Sequence, residues 1–201
     1  MILAGDIGGT KTSLALFDWK TERVEPTREE TFASADYKSL EDILEEFLNP
    51  PQEPSDEKDD ESKEAPVEKA PLTLDAACFG IAGPVIENTS KTTNLPWVVD
   101  GATLSKRFKI PHVRLVNDLE AMAYGILVLK ADEAEVLNAG TPPKTKGAMA
   151  LIAAGTGLGE AILFWDGKTY KPMPSEGGHS SFAPNSDLEI ELLRYLRMQY
   201  T

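Results

Sequence analysis

Short apolar runs occur along the chain, each bounded by glycine, proline or charged residues. Residues 2–7 and 13–18 flank a glycine-containing segment and predict the two strands of a hairpin, and the residues around Phe32 predict a third strand. Residues 74–85 form a continuous apolar run, which is typical of a strand buried on both faces of a sheet, and residues 112–116 predict another buried strand. Together the runs predict a sheet with an antiparallel beginning and buried central strands.

Between these runs, apolar side chains recur at the three- and four-residue spacing of an amphipathic helix. Helices are predicted at residues 40–48, 101–108, 118–129 and 188–196. Ser39 or Asp36 can cap the first helix, and Ser186, with Glu189 three residues later, can cap the last. Strands that alternate with helices after an antiparallel start predict a mixed α/β sheet covered by helices.

The organisation of residues 2–18 recurs at residues 148–165. Both segments contain an apolar strand, a tip with glycines and a threonine, and a second apolar strand. The recurrence predicts two related halves that each present a glycine turn, with the second unit beginning near residue 146.

Charge is distributed unevenly over the 201 residues, whose formal net charge is −13. Residues 50–71 contribute −5 of this, because they contain eight acidic residues and three lysines, together with five prolines. A segment with so few apolar side chains cannot stabilise an ordered structure, so it is predicted to be a disordered surface loop, with an acidic docking segment as the alternative. The acidic balance argues against nucleic-acid binding, which needs clustered lysine and arginine.

The sequence disfavours both a membrane-spanning segment and an intrachain disulfide. The N-terminal apolar runs are far shorter than the roughly 20 residues of a membrane helix, and no basic leader precedes them, so we expect a soluble protein without a signal peptide or membrane partner. Cys78 is the single cysteine, which excludes an intrachain disulfide and a multi-cysteine zinc site. Its apolar neighbours predict a buried, unreactive thiol, compatible with a reducing cytoplasm.

The first glycine turn offers phosphate-binding chemistry. Gly8 and Gly9 would let backbone N–H groups approach a phosphate closely, while Thr10 adds a hydroxyl donor and Lys11 a positive charge. Asp6 could hold a hydrated Mg²⁺ beside the same phosphates. The alternative is a tight hairpin in which the glycines serve only the geometry of the turn. No GxxxxGK[ST] motif occurs in the chain, which disfavours a P-loop fold.

Further polar residues follow a predicted strand and the second hairpin. Asp118 lies after a buried strand, where α/β sheets present ligand-binding residues, and its carboxylate could accept a proton from a substrate hydroxyl. The alternative is a helix cap made by Asn117 and Glu120, with Asp118 favourable in the first turn. Glu176 and His179 flank two glycines and could jointly bind vicinal hydroxyls, although a lone histidine more often has a structural role.

Six motifs occur in an order that points to one family: DIGGTKT, GIAGPV, TTNLPW, LVNDLEAMAYGI, AAGTGLGEAIL and SEGGHSSFAP. With these motifs the chain resembles the bacterial-type glucokinases of the zinc-free branch in the hexokinase and actin-like ATPase superfamily. The resemblance covers nearly the whole chain outside the acidic segment. It implies a ribonuclease H-like mixed sheet with flanking helices, in which residues 1–130 form the small α/β domain and residues 131–201 the truncated start of the large α/β domain.

The resemblance also implies roles for residues at matching motif positions. It implies ATP-dependent phosphorylation of the 6-hydroxyl of glucose, with Asp118 as the base and Asp6 as the ligand of Mg²⁺. The substrate-binding residues that it implies are Asn94, Asn117, Asp118, Glu176 and His179. The residues that it implies for ATP are Asp6, Gly8, Gly9, Thr10, Lys11, Gly155, Thr156 and Gly157.

The resembled glucokinases are considerably longer than this chain. Their later portion brings another sugar-binding glutamate, the adenosine-binding motif and the closing helix of the small domain. We therefore expect a fragment of a cytoplasmic glucokinase with weak or no activity of its own, in a family whose members are often homodimers. Two other interpretations stay open: a non-catalytic sugar-binding regulator, of a kind that usually carries an added DNA-binding domain, and an actin-like ATPase module without a sugar substrate.

Overall fold

The computed structural model describes residues 1–19, 25–50, 72–92, 94–141, 144–155 and 157–200. The chain divides into two compact units, Met1–Leu129 and Lys130–Thr201. Two predictions fall outside the described residues. These are the disorder of residues 50–71, of which only Pro50 is described, and the role of Thr156.

A five-stranded mixed sheet forms the centre of the first unit. Its strands are β1 (Ile2–Ile7), β2 (Lys11–Phe17), β3 (Arg28–Ala33), β4 (Ala76–Ile81) and β7 (His112–Asn117). The order is β3-β2-β1-β4-β7, in which the pairs β3–β2 and β2–β1 are antiparallel and the pairs β1–β4 and β4–β7 are parallel. Two short strands, β5 (Thr89–Lys91) and β6 (Val98–Asp100), pair separately. The predicted mixed sheet with an antiparallel beginning is confirmed, but β7 is an edge strand of the described sheet and its first half is largely exposed, so the prediction of a strand buried on both faces is wrong there.

Three α-helices accompany this sheet: α1 (Leu40–Leu48), α2 (Gly101–Phe108) and α3 (Asp118–Ile126). Ser39 caps α1, since its hydroxyl oxygen accepts the backbone N–H of Asp42 at 3.3 Å, whereas Asp36 lies in a short 3-10 turn. The buried face of α1 consists of Leu40, Ile43, Leu44 and Phe47. Burial of each such side chain contributes about 1.5–3 kcal/mol, so this face fixes α1 in the core.

Alternate residues of β4 point to opposite faces of the sheet. Ala77, Phe79 and Ile81 are buried in the core, whereas Cys78 is exposed. The prediction of a buried thiol is therefore wrong, because an apolar run does not show which sheet face a helix covers. On the second face, α3 approaches β4 only farther along, at Gly80. Partial burial by the surrounding strands still raises the pKa of the Cys78 thiol.

In the second unit, three antiparallel strands form a meander in the order β10-β9-β8. The strands are β8 (Met149–Ala154), β9 (Leu158–Trp165) and β10 (Tyr170–Ser175). Helix α4 (Asp187–Gln199) follows, and Ser186 caps it by accepting the backbone N–H of Glu189 at 3.3 Å. The predicted glycine-tipped hairpin and the capped helix are confirmed. Of the helices that the structure describes, none is long and apolar enough to cross a membrane.

Candidate functional site

The carboxyl ends of the parallel strands in the first unit carry its polar candidates. Asp6 lies one residue before the end of β1, and Asp118 directly follows β7. Between them, Asp6 pairs in register with Gly80 of β4, and Gly80 pairs with Val116 of β7. Because Gly80 has no side chain, no side chain of β4 separates the two carboxylates at this level. This edge of an α/β sheet is where ligands commonly bind.

Ser34, which the sequence analysis did not single out, holds the β1–β2 turn. The Gly8 N–H donates to the Lys11 carbonyl at 3.0 Å, which closes the turn. The Ser34 hydroxyl donates to the Gly8 carbonyl at 2.8 Å, and its backbone N–H donates to the Thr10 carbonyl at 3.1 Å. The buried Thr12 hydroxyl lies 3.0 Å from the Ser34 hydroxyl. The turn is thus braced from within by one buried serine.

Both glycines of this turn are required by close contacts inside the unit. A Cβ on Gly8 would lie 2.9 Å from the Lys11 carbonyl oxygen. A Cβ on Gly9 would lie 2.7 Å from the Cβ of Asn94, so the Asn94 side chain rests against the tip of the turn. The fold itself therefore accounts for both glycines, and phosphate binding by the turn stays a prediction. The same contact places a predicted sugar-binding residue beside the predicted phosphate-binding turn.

The junction between β7 and α3 is built around Asn117. Its Oδ1 accepts the backbone N–H groups of Leu119 at 3.0 Å and Glu120 at 3.4 Å, so Asn117 is the N-cap of α3. Its Nδ2 donates to the Gly83 carbonyl at 3.2 Å. The helix cap that the sequence left as an alternative is confirmed for Asn117. That cap uses the Asn117 amide and leaves the role of Asp118 as a separate question.

Asp118 combines partial burial with a negative neighbour. Burial is the main reason that the pKa of its carboxyl lies above the usual value. The Leu119 N–H donates to Asp118 Oδ1 at 2.9 Å and lowers the pKa, while the charge of Asp6 raises it. A carboxylate with a raised pKa is a stronger proton acceptor than an ordinary aspartate. The site can therefore supply a general base at the strand edge.

The β8–β9 turn of the second unit contains two further candidates, Gly155 and Gly157. The Gly155 N–H donates to the Gly157 carbonyl at 2.9 Å, which makes the turn tight. A Cβ on either glycine would meet nothing within 4 Å among the described residues, so packing does not account for glycine here. The short 3-10 turn Gly177–His179 lies alongside, because Gly178 packs against the carbonyl of Leu158.

Glu176 and His179 form an exposed pair beside this turn. His179 Nε2 lies 3.6 Å from Glu176 Oε2, and the two side chains are 85% and 76% exposed. An imidazole and a carboxylate at this separation can donate to and accept from neighbouring hydroxyls. The pair is open to a ligand rather than enclosed by the unit, so the described contacts do not give His179 a buried structural role.

Comparison with known proteins decides the family. The Glucokinase family model matches residues 3–201. The chain belongs to the glucokinase family. It is 40% identical over 198 residues to the glucokinase of Nostoc punctiforme, covering 98% of this chain and 52% of that protein. It is 39% identical over 205 residues to the glucokinase of Synechocystis sp., covering 99% and 54%. The chain spans about half the length of the curated relatives that it matches.

Solved structures agree with the predicted glucokinase fold. The glucokinase from an Antarctic psychrotroph matches with a TM-score of 0.74 at 28% identity, covering 99% of this chain and 57% of that one. The glucokinase from Balamuthia mandrillaris in complex with glucose matches with a TM-score of 0.62 at 20% identity, covering 99% and 55%. The second likeness supports the fold alone. The expected family and the actin-like mixed sheet with flanking helices are thereby confirmed.

The candidates suggested by the glucokinase resemblance fall into two groups, one in each unit. The first unit carries Asp6, Gly8, Gly9, Thr10, Lys11, Asn94, Asn117 and Asp118. The second carries Gly155, Gly157, Glu176 and His179. Each group contains residues predicted for the sugar and residues predicted for ATP.

The donor set available for a metal in this glucokinase relative is small. No group of three or more histidine, cysteine or acidic side chains able to hold a metal ion occurs in the part of the chain that the structure describes. Mg²⁺ is commonly bound through one or two carboxylates together with waters and substrate phosphates. The exposed carboxylate of Asp6, next to the glycine turn, fits that requirement.

Proposed function

We propose that this chain carries the base and much of the glucose- and ATP-binding surface of a glucokinase, which transfers the γ-phosphoryl group of ATP to the 6-hydroxyl of glucose. The observation that carries the proposal is the position of Asp118, a half-buried carboxylate of raised pKa at the end of β7, close enough to Asp6 to feel its charge. Membership of the glucokinase family supports the reaction class.

Asp118 acts on the acceptor hydroxyl in this proposal. It orients the 6-hydroxyl of glucose and takes its proton as the oxygen forms a bond to the γ-phosphorus. The bond from the γ-phosphorus to the bridging oxygen breaks, and ADP leaves with that electron pair. Burial, which raises the pKa of the Asp118 carboxyl, increases its strength as a base for this step.

Four further side chains position the sugar in the proposal. Asn94 offers an amide beside the β1–β2 turn, and Glu176 with His179 offers an acceptor and a donor for neighbouring hydroxyls. Asn117 is already the cap of α3, but its Nδ2 carries two hydrogens, of which one is donated to the Gly83 carbonyl. The other can reach a sugar hydroxyl without breaking the cap.

The glycine turns bind the phosphates in the proposal. Gly8 and Gly155 close the two turns through their own N–H groups. The backbone N–H groups of Gly9 and Thr10, with the ammonium of Lys11, serve the first turn, and those of Thr156 and Gly157 serve the second. Asp6 holds Mg²⁺, directly or through water. When bound, the ion neutralises charge on the β- and γ-phosphates and favours their transfer chemistry.

We also propose that the 201-residue chain alone is a weak or inactive catalyst, because it spans about half the length of its curated relatives. A cytoplasmic location is proposed with it, since a free cysteine is compatible with a reducing compartment. A homodimer is the assembly proposed for the complete enzyme.

The test is transfer of radiolabelled γ-phosphate from ATP to glucose, with the product separated and identified as glucose 6-phosphate. We expect the 201-residue chain to work far below the 1–100 per second that is typical of kinases, at roughly 0.01 per second or less. The Asp118→Asn variant, which keeps the size of the side chain and loses the base, should give no transfer above background. Ordinary kinase turnover by this chain would contradict the proposed weakness, and transfer above background by Asp118→Asn at the wild-type rate would contradict the role of Asp118.

A further inference from the structure

The outer edge of β7 is completed by one side chain. In the described sheet β7 is the last strand, with β4 on its inner side. Asn88 Nδ2 donates to the Val113 carbonyl at 3.0 Å, and Asn88 Oδ1 accepts the Leu115 N–H at 2.8 Å. A residue of a parallel neighbouring strand bonds in the same way, to the carbonyl and the N–H two positions apart. The Asn88 side-chain amide therefore makes the two hydrogen bonds that a residue of a further parallel strand would make to β7.

The backbone around Asn88 is shaped for this contact. Ile86 and Thr89 exchange both N–H to carbonyl hydrogen bonds at 2.9 Å, so residues 86–89 form a two-residue hairpin turn. Glu87 and Asn88 are the central residues, with φ of 50° and 59°. Two left-handed central residues define a type I′ turn, for which asparagine is favoured. The turn presents the Asn88 side chain to the edge of β7.

Asn88 also ties in the neighbouring helix and the residues before the turn. The Gly101 N–H at the start of α2 donates to the Asn88 carbonyl at 3.0 Å, and a Cβ on Gly101 would collide with the Asn88 amide. A few residues before the turn, the Gly83 carbonyl accepts Asn117 Nδ2 at 3.2 Å. Residues 83–88 are thus hydrogen-bonded to β7 at Val113, at Leu115 and at its last residue, Asn117.

We propose that Asn88 is a positioning residue: its amide stands in for a strand on the outer edge of β7 and thereby fixes the β7–α3 junction from which Asp118 projects. The importance of that geometry for catalysis rests on the proposed function of Asp118. The edge contact itself does not, so the two can be tested separately.

The test compares Asn88→Gly with Glu87→Gly in the 201-residue chain. Glycine adopts the left-handed backbone at both positions, so both variants keep the turn, but only Asn88→Gly removes the amide from β7. Amide hydrogen exchange followed by NMR reports the Leu115 N–H. The Val116 N–H, which points toward β4 because successive strand amides face opposite edges, is the internal control for general loosening of the unit.

For Asn88→Gly we expect exchange at Leu115 to accelerate about tenfold or more while Val116 changes by less than about threefold. We also expect the pKa of Asp118, followed by its carboxyl carbon shift, to fall toward its ordinary value, because a loosened junction admits water while Asp6 stays in place. Glu87→Gly should change neither. Unchanged exchange at Leu115, or an unchanged pKa of Asp118 with exchange accelerated, would overturn the positioning role.

A second variant keeps the test decisive if Asn88→Gly does not fold. Asn88→Asp replaces the donor to the Val113 carbonyl with a carboxylate oxygen. Repulsion between that oxygen and the carbonyl oxygen displaces the side chain from β7, so exchange at Leu115 should accelerate by about threefold or more. Wild-type exchange in Asn88→Asp would overturn the proposal. Calorimetric titration with glucose is a separate readout. If exchange at Leu115 and the pKa of Asp118 change as expected but neither the wild type nor the variants bind glucose, the proposed function fails while the positioning role of Asn88 stands.

Discussion

Substitution of Gly80 by alanine tests how closely α3 must lie on the sheet to place Asp118. A Cβ on Gly80 would lie 3.0 Å from the Cβ of Ala121 and 3.7 Å from the Cα of Asp118. Carbon atoms in ordinary contact lie about 3.5–4.0 Å apart, so α3 must move by roughly half an ångström. Overpacking of a core costs about 1–3 kcal/mol. Because Ala121 is only partly buried and α3 can yield outward, we expect a cost of about 1–2 kcal/mol.

The assay is native-state hydrogen exchange at slowly exchanging amides of β1 and β4, which report opening of the first unit independently of the second. A cost of about 1.4 kcal/mol accelerates exchange about tenfold. The double variant Gly80→Ala with Ala121→Gly removes the colliding Cβ. It should relieve the overpacking but keep a helix-propensity cost of about 1 kcal/mol, which the single variant Ala121→Gly measures alone.

Additive effects of Gly80→Ala and Ala121→Gly would refute this reasoning, since two residues in steric conflict must show coupling. Exchange in Gly80→Ala equal to that of the wild type would refute it as well. The shift of α3 should also weaken any chemistry at Asp118, because misplacement of a catalytic group by about 1 Å can cost about a hundredfold in rate.

Three further predictions concern single side chains. Because the folded-state pKa of Asp118 is raised, folding disfavours its ionised form, and Asp118→Asn should stabilise the first unit at pH 7 by less than about 1 kcal/mol for this half-exposed group. This gain in stability should vanish as the pH falls through the folded-state pKa. Urea titrations that show an equal gain at pH 7 and pH 3 would contradict the prediction. Ser34→Ala leaves the buried Thr12 hydroxyl without its partner, so it should lower the free energy of unfolding, measured by thermal unfolding, by about 1–3 kcal/mol. Ser13→Ala, at an exposed hydroxyl pair, is the control and should lower it by less than about 0.5 kcal/mol. Similar losses for both variants would show that Ser34 does not brace the turn. Cys78 should react completely with a thiol reagent in the native chain, more slowly than a free thiol at pH 7 because its pKa is raised, whereas protection until unfolding would show that the thiol is buried.

Local patterns predicted most of the first unit. The apolar runs gave the strands, and the spacing from Leu40 to Leu48 gave α1 with Ser39 as its cap, because alternation and helical periodicity depend only on neighbouring residues. Helix α3 ends at Ile126, three residues before the predicted end, where exposed apolar residues had extended the pattern. Periodicity does not distinguish an apolar helix face from an apolar segment that follows the helix.

The contacts that shape the site were not predictable in the same way. Ser34 bonds to the β1–β2 turn at Gly8, 26 residues away in sequence, and Asn88 bonds to β7 at Leu115, 27 residues away. The residues next to Ser34 and Asn88 in sequence do not indicate these partners. The prediction that Cys78 is buried failed for a related reason, since the exposure of Cys78 depends on where another element covers the sheet. At Asn117 the sequence allowed either a ligand-binding site or a helix cap, and both had physical grounds. The structure shows that Asn117 caps α3.

The most direct test of the account asks whether Asp118 recognises the hydroxyl that is phosphorylated. Calorimetric titrations of the wild type and Asp118→Ala are made with glucose and with 6-deoxyglucose, which lacks that hydroxyl. A hydrogen bond to a charged group contributes about 1.5–3 kcal/mol, so the wild type should bind glucose at least about tenfold more tightly than 6-deoxyglucose, and Asp118→Ala should bind both equally. An undiminished preference for glucose in Asp118→Ala, or no preference in the wild type, would contradict the assignment of Asp118 as the base.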